Sequence, residues 1–306
     1  MLSIDKGAEL LEFNEALTYE NMREYTGILT TRYQVLTAGV LGRSILGREI
    51  PYFRLGTGAR RILYIGAHHG SEWMTSILLL RFLNDFCSCY YAKKPSEGLD
   101  LSYLLETRSL YILPMLNPDG VTLSLGGGRG SLLYEREVRQ NGGEDFTHWQ
   151  ANARGVDLNH NYDAEFMTYK KWERENGITA GKTRYSGESP ESEPESAALA
   201  AFIRTLCPEL ILTLHTQGEE IYYGRQEGGA SHKLALFLSR LCGYRVCRAE
   251  GPAAYGGLTD WASDTLSIPS CTLECGLGEN PLPLCDYSEI YGRLRRALFC
   301  APTFGI

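Results

Sequence analysis

His69 and Glu72 stand three residues apart in YIGAHHGSEWMTS (64–76), where an apolar segment ends and helical spacing begins. Two ligands at this spacing can face one ion if the chain turns from strand to helix between them. Imidazole nitrogen and carboxylate oxygen both suit Zn²⁺, and two histidines with one glutamate form a known catalytic set whose fourth position is left to water. The same residues also fit a capped helix start, with Glu72 favoured in the first turn by the helix dipole. A metal would need a third ligand from elsewhere. Six histidines are present, at 68, 69, 148, 160, 215 and 232, and His215 is the one that closes a buried-strand pattern, ELILTLH. Glu274 lies in SCTLEC between Leu273 and Cys275. Burying a lone carboxylate there is costly unless something compensates it, so Glu274 reads either as a group working beside a metal or as an exposed residue of an edge strand.

The rest of the chain supplies elements to position these groups. Helical spacing covers 19–33, and two alternating segments, 34–40 and 49–55, flank GRSILGRE as a hairpin. RILYIG (61–66), SLYILPM (109–115), ELILTLH (209–215) and SCTLEC (270–275) read as buried strands. Helices are expected over 73–86, from Pro194 to before Pro208, over 231–242 and over 286–300. NPDG (117–120) reads as a turn, and the stretches 124–150 and 164–192 as irregular. GGGRG (126–130) lacks a following Lys-Ser or Lys-Thr and is no phosphate loop. Alternating strands and helices predict an α/β fold: a single domain over 1–306, with residues 1–18 as an N-terminal extension, built on a mixed, largely parallel central sheet flanked by helices. Ligands of such sheets bind beyond the carboxyl ends of the strands, where His69, Glu72, His215 and Glu274 all fall.

A net charge of -7 without a basic run argues against nucleic acid or an anionic membrane surface as partner. No apolar run reaches membrane-spanning length, and the start shows no signal-peptide pattern or propeptide. The nine cysteines sit mostly in apolar segments and read as buried thiols of a reducing compartment, which places the expected location in the cytoplasm. Cys87-x-Cys89 and Cys271-x3-Cys275 lack a second pair at zinc-finger spacing. Oligomeric state is not legible.

GAHHGSEW (66–73), NPDG (117–120), NARGVDLNHNYDAEF (152–166), LHTQGEE (214–220), GGLTDW (256–261) and TLECG (272–276), in this order and spacing, resemble the zinc carboxypeptidases of the carboxypeptidase A type. The likeness runs from about Tyr19 to the last helix. SEPES, LHTQGEEIYY and GVDLNHNY are most similar to the bacterial branch that includes γ-D-glutamyl-diamino acid peptidases of cell-wall peptide metabolism.

The resemblance implies one zinc ion per chain, ligated by His69, Glu72 and His215, with Asp157 behind the first zinc histidine and Glu274 as general base. His68 is then an extra histidine that packs against the sheet or lies at the rim. The family stabilises the oxyanion with an arginine, whose place here falls on Gln150; Arg154 is the expected substitute and Arg129 the other one nearby. The family's Asn-Arg clamp for a terminal carboxylate becomes Asn159-His160. A mostly neutral histidine with one donor grips a carboxylate less firmly than an arginine fork. The side-chain specificity position falls on Thr259, and Tyr255 stands near the place of a mobile tyrosine. Glu219 and Glu220 could receive a substrate amine. The expected activity is zinc-dependent hydrolysis of a peptide or γ-glutamyl amide bond, on a peptide substrate. The alternatives are a metal-dependent deacylase or amidase of a small amino-acid conjugate, and a zinc-retaining binding module without turnover.

Overall fold

The computed structural model describes residues 13–126 and 145–305, so Arg129 and most of GGGRG lie outside the described residues. Residues 36–43 and 49–55 form the expected hairpin: β1 (Leu36–Arg43) pairs antiparallel with β2 (Glu49–Leu55). The buried runs become β3 (Arg60–Ile65), β4 (Arg108–Leu113), β5 (Leu210–His215) and β8 (Ser270–Glu274). Two short strands complete the set, β6 (Glu220–Tyr223) and β7 (Arg245–Arg248). These eight strands of the described residues make one sheet in the order β1-β2-β4-β3-β5-β8-β6-β7. The four central strands β4, β3, β5 and β8 are mutually parallel, and their near-continuous Leu/Ile content fits burial on both faces. The β2–β4 and β6–β8 pairings are antiparallel, so the sheet is mixed towards both ends.

One face is covered by the helix Met74–Tyr91 and the last helix, Tyr287–Cys300, whose aromatic side chains interlock. Phe82 and Phe86 sit 5.3 and 5.4 Å from Phe299. Phe13 and Leu17 are buried in this same core. A second core on the opposite face includes Leu63, Ile65, Leu113, Leu199, Ile203 and Trp261. Leu199 and Ile203 belong to the helix Pro194–Leu206, which starts with proline at its first position, where the missing N–H costs nothing. No described helix is long and apolar enough to cross a membrane. All nine cysteines are free thiols; five are buried, whereas Cys207 and Cys285 are exposed.

NPDG is not a plain turn. Asn117 caps the helix Pro118–Ser124 by accepting a hydrogen bond from the Gly120 N–H. Its side-chain amide also donates to the carbonyls of His68, Gln150 and Ala151 at 3.0, 3.2 and 3.1 Å. One buried amide thus ties the ends of β3 and β4 to the 149–152 segment. The approach is close: a Cβ on Gly70 would lie 2.3 Å from the Gly120 carbonyl oxygen. Glycine at position 70 is therefore a steric requirement.

Candidate metal centre and substrate cavity

The chain runs from β3 to β4 on one side of β3, while β5 lies on its other side. That reversal opens a crevice at the carboxyl ends of β3, β5 and β8. His69 follows β3, Glu72 ends the single helical turn Gly70–Glu72, and His215 is the last residue of β5. The turn is held from outside, because the Gly70 and Ser71 N–H groups donate to the Gln150 and Trp149 carbonyls at 3.0 and 2.8 Å.

His69 Nδ1 lies 2.8 Å from Glu72 Oε1, and His215 Nδ1 lies 3.0 Å from Glu72 Oε2 and 3.3 Å from His69 Nδ1. Donors about 2.0–2.1 Å from a tetrahedral ion stand roughly 3.3 Å apart, so the set suits one Zn²⁺ with a fourth position open. Among the described residues this is the only cluster of three or more such side chains close enough to share an ion. Neither cysteine pair takes part. Glu72 is itself fixed, accepting from the Thr216 N–H at 3.3 Å and from Asn280 at 3.4 Å. Despite burial, His69 and His215 hold its carboxyl down at about 2.

Asp157 meets the far nitrogen of His69, with Oδ1 3.1 Å from Nε2. It accepts further hydrogen bonds from the Asn159 and Arg184 N–H groups at 3.1 and 2.9 Å. Burial works against the charge, but His69, His160 and these donors hold the carboxyl well below the usual range. A carboxylate in this place fixes the imidazole tautomer and leaves Nδ1 free as a ligand. His68 is fully buried; its ring stacks at 5.3 Å on His215 and Nε2 lies 3.3 Å from the Tyr162 hydroxyl. It belongs to the support of the site.

Glu274 pairs in register with His215 across the β5–β8 ladder and faces the same cavity. Burial, then the charge of Glu72, pushes its carboxyl well above the ordinary range. The cavity is about 650 Å³ and also takes in Gln150, Asn159, His160, Tyr222, Arg248, Thr259, Asp260 and Thr272.

The expected substrate residues separate into two groups. Gln150, Asn159, His160 and Thr259 line the cavity, whereas Arg154 and Tyr255 do not. Arg154 is 49% exposed at its side chain and pairs with Glu193 at 3.6 Å, so the expectation that it faces the reacting carbonyl does not match its position. Gln150 accepts a hydrogen bond from the Thr183 hydroxyl at its amide oxygen, which leaves its NH₂ group to donate. Asn159 likewise uses its oxygen on the Leu258 N–H. His160 stacks on Tyr169 at 4.2 Å and donates from Nδ1 to the Tyr255 carbonyl at 2.8 Å. The Tyr255 ring lies under Arg225, 5.0 Å from its guanidinium. Glu219 and Glu220 are bound by Arg293 and Arg245, which leaves neither carboxylate unpaired for a substrate amine. The polar cavity residues that sequence reasoning did not single out include Asp260, Arg248, Tyr222 and Asn280. Asp260 adjoined the specificity position in GGLTDW, which was the one available signal.

Residues 22–234 match the family described as zinc carboxypeptidase. The chain is 33% identical over 270 residues to gamma-D-glutamyl-L-diamino acid endopeptidase 1 of Lysinibacillus sphaericus, covering 86% of this chain and 66% of that protein. It is 34% identical over 272 residues to the uncharacterized protein YqgT of Bacillus subtilis (strain 168), covering 85% of this chain and 71% of the relative. It thus spans about two thirds of the length of these relatives. Among solved structures, thrombin activatable fibrinolysis inhibitor superimposes with a TM-score of 0.73 at 19% identity, covering 94% of this chain and 73% of that one, a likeness of fold.

Proposed function

The chain belongs to the zinc carboxypeptidase family, and from that premise we propose that it hydrolyses a γ-D-glutamyl-diamino acid bond in a cell-wall-type peptide. The observation that carries this reading is the convergence of the His69, Glu72 and His215 donors beside Glu274 in one cavity. The name of the 33%-identical relative supports the bond type.

His69, Glu72 and His215 would hold the ion, which when bound supplies a Lewis acid and lowers the pKa of a water to roughly 7. Glu274 takes a proton from the attacking water and passes it to the leaving amine. Its burial beside Glu72 raises its proton affinity towards what a base working near neutral pH needs. Gln150 donates its amide N–H to the carbonyl oxygen as negative charge develops there. Asn159 donates its amide N–H to the substrate backbone. His160 commits its Nδ1 proton to Tyr255, so in the neutral ring Nε2 is an acceptor. Burial, its largest influence, lowers the His160 pKa and keeps the ring in that neutral form. Such a ring does not clamp a terminal carboxylate, which favours a bond within a longer peptide over the last bond of a chain.

The test compares a γ-D-glutamyl-diaminopimelate peptide, an ordinary C-terminal dipeptide and an N-acyl amino acid as substrates of the zinc-loaded protein. Preferred cleavage of the first is expected. Preference for the acyl amino acid would replace the reading with a deacylase, and zinc-loaded protein that binds without cleaving any of them would make it a binding module. Glu274→Gln should retain about one zinc per chain and lose about 10²–10⁴-fold in kcat; unchanged turnover in that variant would remove Glu274 from the mechanism.

A further inference from the structure

The segment that follows β8 passes beside the metal ligands and is fastened at both ends. At its start the Cys275 N–H donates to the His215 carbonyl at 2.8 Å, and the Gly276 carbonyl accepts from the Gly218 and Glu219 N–H groups at 2.7 and 3.2 Å. At its far end Leu282 is buried in the apolar core. Between these anchors Asn280 reaches Thr216, the residue after His215, and borders the cavity.

The two side chains are wired in one sense only. The Thr216 hydroxyl donates to Asn280 Oδ1 at 2.6 Å, and Asn280 Nδ2 donates back to the Thr216 carbonyl at 2.7 Å. The second N–H of this amide is left for Glu72 Oε1, 3.4 Å from Nδ2. Turning the amide over would set its oxygen against the Thr216 carbonyl and the Glu72 carboxylate, acceptor against acceptor. The other carboxylate oxygen, Glu72 Oε2, accepts from the Thr216 backbone N–H at 3.3 Å. Each oxygen of the ligating carboxylate therefore receives one N–H from the Thr216–Asn280 pair. Such N–H groups cannot ligate a cation, so they hold Glu72 without competing with it for the ion. A carboxylate already held in one orientation loses less side-chain freedom when an ion arrives.

We infer that Asn280 is a positioning residue of the zinc site: its amide, oriented by the Thr216 hydroxyl, fixes the plane of the Glu72 carboxylate and thereby sets the affinity for zinc. The inference concerns the ion and stands whichever bond the enzyme cuts. Both N–H groups of Asn280 are committed before any substrate arrives, so the residue acts through Glu72 rather than on the substrate. For Glu72 it does what Asp157 does for His69. Partners that orient a metal ligand typically carry about 10–100-fold in metal affinity.

The test measures the zinc affinity of the full chain by competition with a chromogenic chelator, with far-UV circular dichroism to establish the fold of each variant. Asn280→Ala should bind zinc about 10–100-fold more weakly than the wild type. Thr216→Val, which keeps the shape and removes the hydroxyl, should lose about threefold to tenfold, the scale of one hydrogen bond. Thr216→Ser keeps a hydroxyl and should bind zinc as the wild type does, a rescue that a role in packing alone would not give. In the Asn280→Ala background, Thr216→Val should weaken binding no further, because the hydroxyl acts through the amide. Wild-type affinity in folded Asn280→Ala would overturn the assignment. So would Thr216→Val binding no more weakly than Thr216→Ser, or losses that multiply in full in the double variant. If Asn280→Ala does not fold, the two Thr216 variants decide. No substrate enters the measurement, so its outcome is separate from that of the proposed bond type.

Discussion

At the scale of single residues, which way a side chain points separates two neighbouring candidates for one role. Gln150 and Arg154 stand four positions apart, yet only Gln150 reaches the cavity. Arg154 is turned outward to Glu193. Gln150→Ala is therefore expected to lower kcat by about 10²-fold, the scale for loss of one oxyanion donor, with little change in KM. Arg154→Ala should leave kcat within a few-fold of wild type. Steady-state kinetics on both variants checks this, and the reverse ranking would return the role to Arg154. The same logic governs His160, whose one proton is committed to the Tyr255 carbonyl before any substrate arrives.

At the scale of elements, SEPES (192–196) acts as a clamp on the loop segment that carries Asp157, Asn159 and His160. Asn161 accepts from Ser196 and the Glu193 N–H and donates to the Ser186 carbonyl, while Asn152 donates to Glu193 and Glu195 at 2.8 and 3.3 Å. Glu195, in the first turn of Pro194–Leu206, also accepts from the Ile45 N–H at 3.0 Å. Burial first, and then the charge of Asp119, pushes its carboxyl from 4.5 up to about 7, against the pull of these hydrogen bonds. The folded protein then binds this proton more tightly than the unfolded chain does. Its contribution to stability is full below about pH 4.5, falls as pH rises towards about 7, and is gone above that. The fall is at most on the order of 3 kcal/mol. Urea denaturation at pH 5 and pH 8 should show a smaller difference for Glu195→Gln than for wild type; an equal difference would mean that another group carries the pH dependence.

At the scale of the whole molecule, the metal ligands crown a sheet whose two apolar cores do not depend on them. The zinc-free protein should accordingly keep its far-UV circular dichroism, in contrast to small zinc domains that unfold without metal. Zinc at about 1,000 times its dissociation constant should add about 4 kcal/mol of stability, seen as a higher Tm in calorimetry against a chelator-treated sample. Loss of secondary structure on chelation would contradict this picture. The sequence by itself determined the alternation of buried strands and helices and the four groups at strand ends, because buried strands read as continuous apolar runs and a carboxylate or imidazole closing one is conspicuous. It did not reveal β6 and β7: EIYY and RVCR are four residues each, and the β7 edge is half solvated, so neither shows an apolar run. Nor did it reveal the helix Phe166–Glu175, whose charged face dominates FMTYKKWERE. Only the tertiary structure decided that Gln150 rather than Arg154 faces the cavity, that Arg293 and Arg245 bind Glu219 and Glu220, and that Asp260 is buried at the cavity wall. Which way a polar side chain points, and whether a distant residue reaches it first, follows from packing between segments far apart in the chain, which local patterns do not encode.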